Sequence, residues 1–237
     1  PYKYMIFILV CVFILFVITK YPKCKSIEVL AGTEVKKPNV IETLIYLFSN
    51  KRFCKGILAQ FLYLGMQVTV WSFTMRLALN IDKSIDELYA ANFMIWSFIA
   101  FFIGRFLASF LMTKFHAKKV LLVYSIIGSL LLLYIVVIPN ISIIYAAIAV
   151  SLLFGPCWPT IYAENLAVIE DKYVETGGAI IVMSIVGGAV VPAVQGFVSD
   201  SIGSMQYAFI VPFLCFVYVA YYFYNEIKRE KLDRNGK

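Results

Sequence analysis

Histidine is almost missing from this chain: His116 stands alone among 237 residues. The five cysteines, Cys11, Cys24, Cys54, Cys157 and Cys215, are odd in number, widely spaced and free of any C-x-x-C pair. With so few ligands, a zinc site or a disulfide framework is not expected, and the thiols read as small membrane-embedded hydrophobes. Charge is scarce too. Only 15% of residues are charged against 62% hydrophobic, and a mean hydropathy of +0.84 excludes an ordinary soluble domain. The H-E-x-x-H and G-x-S-x-G patterns of membrane-embedded hydrolases do not occur, so no enzyme, cofactor or metal is expected. The net charge of +7 does not point to nucleic acid, because the basic residues sit between apolar runs instead of gathering in one patch.

What is present is a series of apolar runs, each long enough to cross about 30 Å of hydrocarbon. They lie near residues 4–19, 57–79, 88–112, 120–138, 142–163, 177–198 and 207–224. Breaks are marked by Asp82 to Glu87, Lys114 to Lys119, Pro139-Asn140, Glu170 to Gly178 and Asp200 to Ser204. Within the fifth run, Pro156 and Pro159 bracket Trp158 and predict a broken or kinked helix. The fold expected is an all-α polytopic membrane protein of seven transmembrane helices.

Positive charge sets the expected orientation. Seventeen lysines and arginines fall on one side of these runs, among them Lys51, Arg52, Lys55, Lys118, Lys119 and Lys228, and only Lys3 and Lys83 on the other. By the positive-inside rule the first side is cytoplasmic, which puts the C-terminus in the cytoplasm of a plasma membrane. Between the first two runs lies a polar linker, in which Val40, Ile41, Leu44, Ile45 and Phe48 suit an interfacial amphipathic helix. The last six runs divide into two triplets of opposite topology, an arrangement that suits inverted repeats. The chain starts at Pro1 and enters its first run without a basic leader, so upstream sequence is expected to be missing.

The second run carries an unusual stripe. Gln60, Tyr63, Gln67, Trp71 and Thr74 fall at i, i+3, i+7, i+11 and i+14, one face of a helix, while Phe61, Leu62, Val68 and Val70 point elsewhere. Bare polar groups in hydrocarbon cost several kcal/mol, roughly, so this face must meet other helices, water or a ligand.

The run Leu58 to Ser72 (L-A-Q-F-x-Y-x-G-x-Q-x-x-x-W-S), A-A-N at Ala90 to Asn92, F-F-I-G-R-F at Phe101 to Phe106, K-F-x-x-K-K-V-L at Lys114 to Leu121, P-T-I-Y at Pro159 to Tyr162 and the glycine-rich stretch Ile181 to Asp200 occur in an order that resembles fucose-permease-like sugar:proton symporters of the major facilitator superfamily, in their C-terminal half. The resemblance runs from about Leu44 to Tyr224. It implies the following organisation: 1–20, the last helix of an N-terminal bundle; 21–56, a cytoplasmic inter-bundle linker; 57–225, a six-helix C-terminal transporter bundle; 226–237, a cytoplasmic tail. It also implies alternating access, a monosaccharide site between two bundles, and proton-coupling carboxylates in the N-terminal half that this chain lacks. The bilayer of a bacterial inner membrane and that six-helix half are then its partners, together with a hexose or deoxyhexose of the L-fucose, glucose or galactose type and protons. A seven-helix receptor shares the topology, but no D/E-R-Y or N-P-x-x-Y pattern supports it.

In that setting Gln60, Gln67 and Trp71 read either as interhelical hydrogen-bond partners or as sugar contacts, the amides meeting hydroxyls and the indole stacking on a pyranose face. Gln67, near mid-membrane, is the first candidate, with Tyr63 on the same stripe. Trp158 is the second, followed by Tyr162 and Asn165 at i+4 and i+7. Asn92 and Trp96, one turn apart, either rim the same cavity or simply pack, and Gln195 reaches toward it from the sixth run. Gly188, Pro192 and Gly196 read as a close-packing face. Arg105 and Lys118 read as gating structure at the inner end, with Glu164 either solvated there, paired with Arg105 as an inner gate or, as a weaker alternative, taking part in proton coupling.

Overall fold

The computed structural model describes residues 2–19, 39–82, 84–155 and 157–235. The first half of the expected linker, residues 21–38, together with Lys83 and Pro156, therefore lies outside the described residues. The chain divides into two units, Pro1–Lys37 and Pro38–Lys237. The first holds α1 (Tyr2–Ile18), 17 residues with Lys3 as their one charged member. At about 1.5 Å per residue it rises roughly 26 Å.

The second unit is built from α2 (Val40–Ser49), α3 (Lys51–Ile81), α4 (Glu87–Lys114), α5 (Ala117–Val137), α6 (Ser142–Leu152), α7 (Cys157–Leu166), α8 (Val174–Met183), α9 (Gly187–Ile202) and α10 (Ile210–Asn235). No strand occurs among the described residues. Five stretches are long and apolar enough to cross a membrane: α3, α4, α5, the Asp171–Ile202 segment that contains α8 and α9, and Tyr207–Leu232. α6 and α7, bent by 41° at their junction, make a sixth span as a pair. The broken fifth run is thus observed. Pro159 sits in the first turn of α7, where a missing N–H costs nothing.

Local signals explain the ends. Asn50 caps α3 by accepting from the Arg52 and Phe53 amides, so the helix begins at Lys51, six residues before the expected bundle boundary. Asn39 likewise caps α2, the expected amphipathic segment. Its Thr43 and Leu47 are buried, Tyr46 stacks on Tyr173 at 4.3 Å, and Ile41, Ile45 and Phe48 stay exposed. Between α3 and α4 the Ser84 hydroxyl donates to the Asp82 carboxylate at 2.6 Å and the Ser84 amide at 2.9 Å, holding that carboxyl below its usual range. α10 continues past Tyr224 to Asn235, because Glu226, Lys228, Arg229, Glu230 and Lys231 are good helix formers, and Glu226, Arg229 and Glu230 also find partners.

α3 is the hub, packing on α4, α6, α7, α9 and α10. Close backbone approach makes this possible. A Cβ on Gly187 would lie 2.1 Å from the Phe61 carbonyl oxygen, and one on Gly104 would lie 1.8 Å from that of Leu152. Small residues at such crossings replace the hydrophobic drive that lipid removes. Gly188 faces Val68 and Gly196 faces Phe73, in keeping with a packing role for that stripe. The core between α3, α5, α6 and α10 is filled by Phe154, Phe209, Phe216, Phe223, Leu132 and Ile135.

Candidate functional site

The polar stripe of α3 divides among several partners. Thr74 donates to the Val70 carbonyl one turn back, at 2.6 Å, and is satisfied within its own helix. The Trp71 indole donates to Ser151 Oγ at 3.2 Å, while its ring meets Phe98 and Phe101 edge-on at 5.0 and 5.2 Å. Tyr63 donates its hydroxyl to the carbonyl of Phe154, at the break between α6 and α7. That bond anchors the non-helical turn to the hub helix.

Between these contacts lies a cleft of about 230 Å³, walled by Tyr63 and Gln67 of α3, Phe101 and Arg105 of α4, Gly155 at the break, and Trp158 and Pro159 of α7. Gln67, Tyr63 and Trp158 are therefore brought together from two separate runs. Trp158 stacks on Tyr162 with ring centres 5.4 Å apart and planes 11° apart, so Tyr162 backs the indole and does not line the cleft. Such a wall offers an amide with donors and an acceptor, a guanidinium with donors only, and an indole face. Among the described residues that line it there is no carboxylate. These groups can recognise a polar molecule that also has an apolar face.

Other candidates fall elsewhere. On α4 the cleft positions are Phe101 and Arg105. Asn92 lies nine residues before Phe101, and Trp96 nine before Arg105, each about half a turn away at roughly 100° per residue. Both are exposed and neither lines the cleft. Gln195 is fully buried: it follows Val191 by one turn, and Val191 is the residue packed over Gly65. Gln60 is fully buried as well.

The gating candidates separate likewise. Arg105 lies on the cleft, its guanidinium 5.9 Å from the Phe101 ring centre. Glu164 does not pair with it. It accepts from Lys118 Nζ at 2.9 Å, and that ammonium lies 3.5 Å from Glu230, which also meets His116 at 3.1 Å. Alongside, Glu226, only 3% exposed, binds Arg52 and has Arg229 at 3.4 Å. This ionic cluster joins the ends of α3, α5, α7 and α10. Glu226 and Glu230 escaped the sequence reading, although their i, i+4 spacing on an apolar helix was a usable signal for a face that meets cations.

No family model matches the chain. It is 31% identical to the L-fucose-proton symporter of Escherichia coli over 221 residues, covering 92% of this chain and 49% of that protein. It is 31% identical to the L-fucose-proton symporter of Haemophilus influenzae over 227 residues, 94% of this chain and 51% of that protein. A putative glucose/galactose transporter of Helicobacter pylori is 30% identical over 194 residues, 78% of this chain and 46% of that protein. The chain thus spans about half the length of the curated relatives it matches. A crystal structure of the Escherichia coli fucose:proton symporter superposes with a TM-score of 0.82 at 30% identity, over 94% of this chain and 53% of that one. A second crystal structure, of a major facilitator superfamily transporter in its outward conformation, gives 0.81 at 29% identity, with the same shares covered. With sequence and helix arrangement agreeing over more than nine-tenths of its length, the chain belongs to the fucose-permease-like members of the major facilitator superfamily.

Proposed function

We propose that this chain forms the C-terminal half of a secondary transporter for a hexose or deoxyhexose of the L-fucose, glucose or galactose type, working by alternating access. The observation that carries the reading is the cleft, where the Gln67 amide and the Trp158 indole face one space from two different helices. A pyranose presents hydroxyls at its rim and C–H groups on its face, and an amide with an aromatic plane suits both.

Substrate lies between this bundle and an N-terminal bundle of the same size, as the half-length match to the relatives supports. Residues 1–20 then form the last helix of that bundle, 21–56 the linker and 57–225 the C-terminal bundle, with α3 extending it back to Lys51. The seventeen basic residues on one side support an inner-membrane protein with its C-terminus in the cytoplasm. Transport is coupled to protons, as the names of the symporter relatives suggest. On this reading the coupling carboxylates belong to the N-terminal half, as the family resemblance implies. Each charge moved down a 100 mV potential supplies about 2.3 kcal/mol.

The test is uptake of labelled L-fucose, glucose and galactose into vesicles holding the full-length protein, with and without an inward proton gradient. Gradient-stimulated uptake of at least one is expected; uptake of none overturns the reading.

A further inference from the structure

Beside the cleft, the faces of α3 and α7 that meet are polar where lipid-buried surfaces are ordinarily apolar. Gln60 and Asn165 are 0% and 1% exposed, and none of their four side-chain polar atoms has a hydrogen-bond partner among the described residues. Their neighbours on α3 differ: Thr69 and Thr74 donate to carbonyls one turn back, and Tyr63 donates to Phe154. Fully buried amides without partners are rare in folded proteins and call for an explanation.

Their placement supplies one. α3 and α7 run antiparallel, with Gly56 against Asn165 at one end of the contact and Gln67 and Trp158 on the shared cleft at the other. The Asn165 amide fills the space a side chain at position 56 would take, since a Cβ there would come within 1.5 Å of Oδ1. Gln60 follows Gly56 by one turn on the same face, and Asn165 follows Trp158 by two. Moving from the cleft toward the ionic cluster, the polar groups are Gln67 and then Gln60 along α3, with Asn165 on α7 next to Glu164, which is joined to Lys118. On α3 no charged residue lies between Gln67 and Gln60, so this stretch favours neutral groups that both donate and accept.

We propose that Gln60 and Asn165 form a second, inner subsite for the hydroxyls of a neutral polyhydroxylated ligand, entered as it passes from the cleft toward the ionic cluster. The proposal rests on the transport reading above. In the closed arrangement the two amides are held without partners; when the inner end opens, ligand hydroxyls satisfy them, and the passing ligand is exchanged between two polar stations.

The test uses the full-length protein in vesicles and the hexose it takes up. Gln60→Leu and Asn165→Leu should bind that sugar within two-fold of the parent, because the cleft is untouched, while sugar counterflow falls about ten-fold. Asn165→Cys should react with a water-soluble maleimide several-fold faster with sugar than without it. This second readout does not depend on how well either leucine variant folds. Parent-like counterflow in both leucine variants, or labelling indifferent to sugar, overturns the subsite and leaves the transport reading standing. Failure of the parent to take up any hexose removes both.

Discussion

Lys118 and Glu164 meet at 2.9 Å, tying the start of α5 to α7 where four helix ends converge. With side chains 11% and 22% exposed, the pair stands between an exposed ion pair, worth little, and a buried one whose disruption strands a charge. Glu164→Gln should lower stability by about 1 kcal/mol, with Glu230 at 3.5 Å retaining part of the ammonium's partnership. For a protein of this size that is a fall in melting temperature of roughly 2–4 °C. Exchanging the two charges in a double variant should restore only part of it, because a carboxylate at position 118 would face Glu230. Arg105→Ala should leave the midpoint unchanged, since no ion pair involves Arg105 among the described residues. Thermal unfolding in detergent reads all three.

Across the cleft, Gln67→Ala removes an amide whose net hydrogen bonds are each worth about 0.5–1.5 kcal/mol, so sugar affinity should fall by up to about ten-fold per bond lost. Trp158→Ala removes the stacking plane and should cost at least as much. Trp71→Phe is the control: it loses only the bond to Ser151 and keeps the aromatic packing, so its effect should be the smallest of the three. Equilibrium binding to the full-length protein measures each, and parent affinity in both Gln67→Ala and Trp158→Ala would remove the site assignment.

Much of this arrangement was legible before any coordinates. The 3.6-residue period singled out Gln67 and Tyr63, and the flanking prolines singled out Trp158 at a broken helix; those residues do share a cleft. What periodicity within one helix lacks is the rotation of that helix against its neighbours. One turn apart, Asn92 and Trp96 suit a cavity rim or simple packing equally from sequence, and α4 turns Phe101 and Arg105 toward the cleft and these two about half a turn away. The choice of Lys118 over Arg105 as partner of Glu164 has the same origin, since it depends on which of two cations the helix crossing brings near. The early start of α3 has a local signal in Asn50, a good cap, although the basic residues after it resemble a linker.

Glycines at crossings give a prediction with an internal contrast. Gly187→Ala would place a methyl group 2.1 Å from the Phe61 carbonyl oxygen, which cannot yield without parting α9 from α3. Gly196→Ala meets only Phe73 Cζ, at 3.8 Å, an ordinary contact. The first substitution should cost several kcal/mol, roughly the upper range for overpacking, and the second should be neutral within about 0.5 kcal/mol. Folded yield by size-exclusion chromatography and the melting midpoint distinguish the two. Equal behaviour would show that the α3–α9 approach is looser than described.

Tyr63 connects stability to the cleft most directly. Its hydroxyl is the bond by which α3 holds the carbonyl of Phe154, and Phe154 stands in the turn that sets the angle of α7 and hence the position of Trp158. Tyr63→Phe keeps the ring, its edge contact with Phe154 and its burial, and removes only the donor. A carbonyl left bare in a buried turn costs about 1–3 kcal/mol. The melting midpoint should therefore drop by several degrees. If the turn also fixes the indole, sugar affinity should weaken even though the lost hydroxyl is already committed to Phe154. A loss of stability with unchanged affinity would instead mean that α7 keeps its place through the Tyr162 stack and the Lys118–Glu164 pair. Measuring the midpoint and the affinity on the same variant decides which of these contacts positions Trp158.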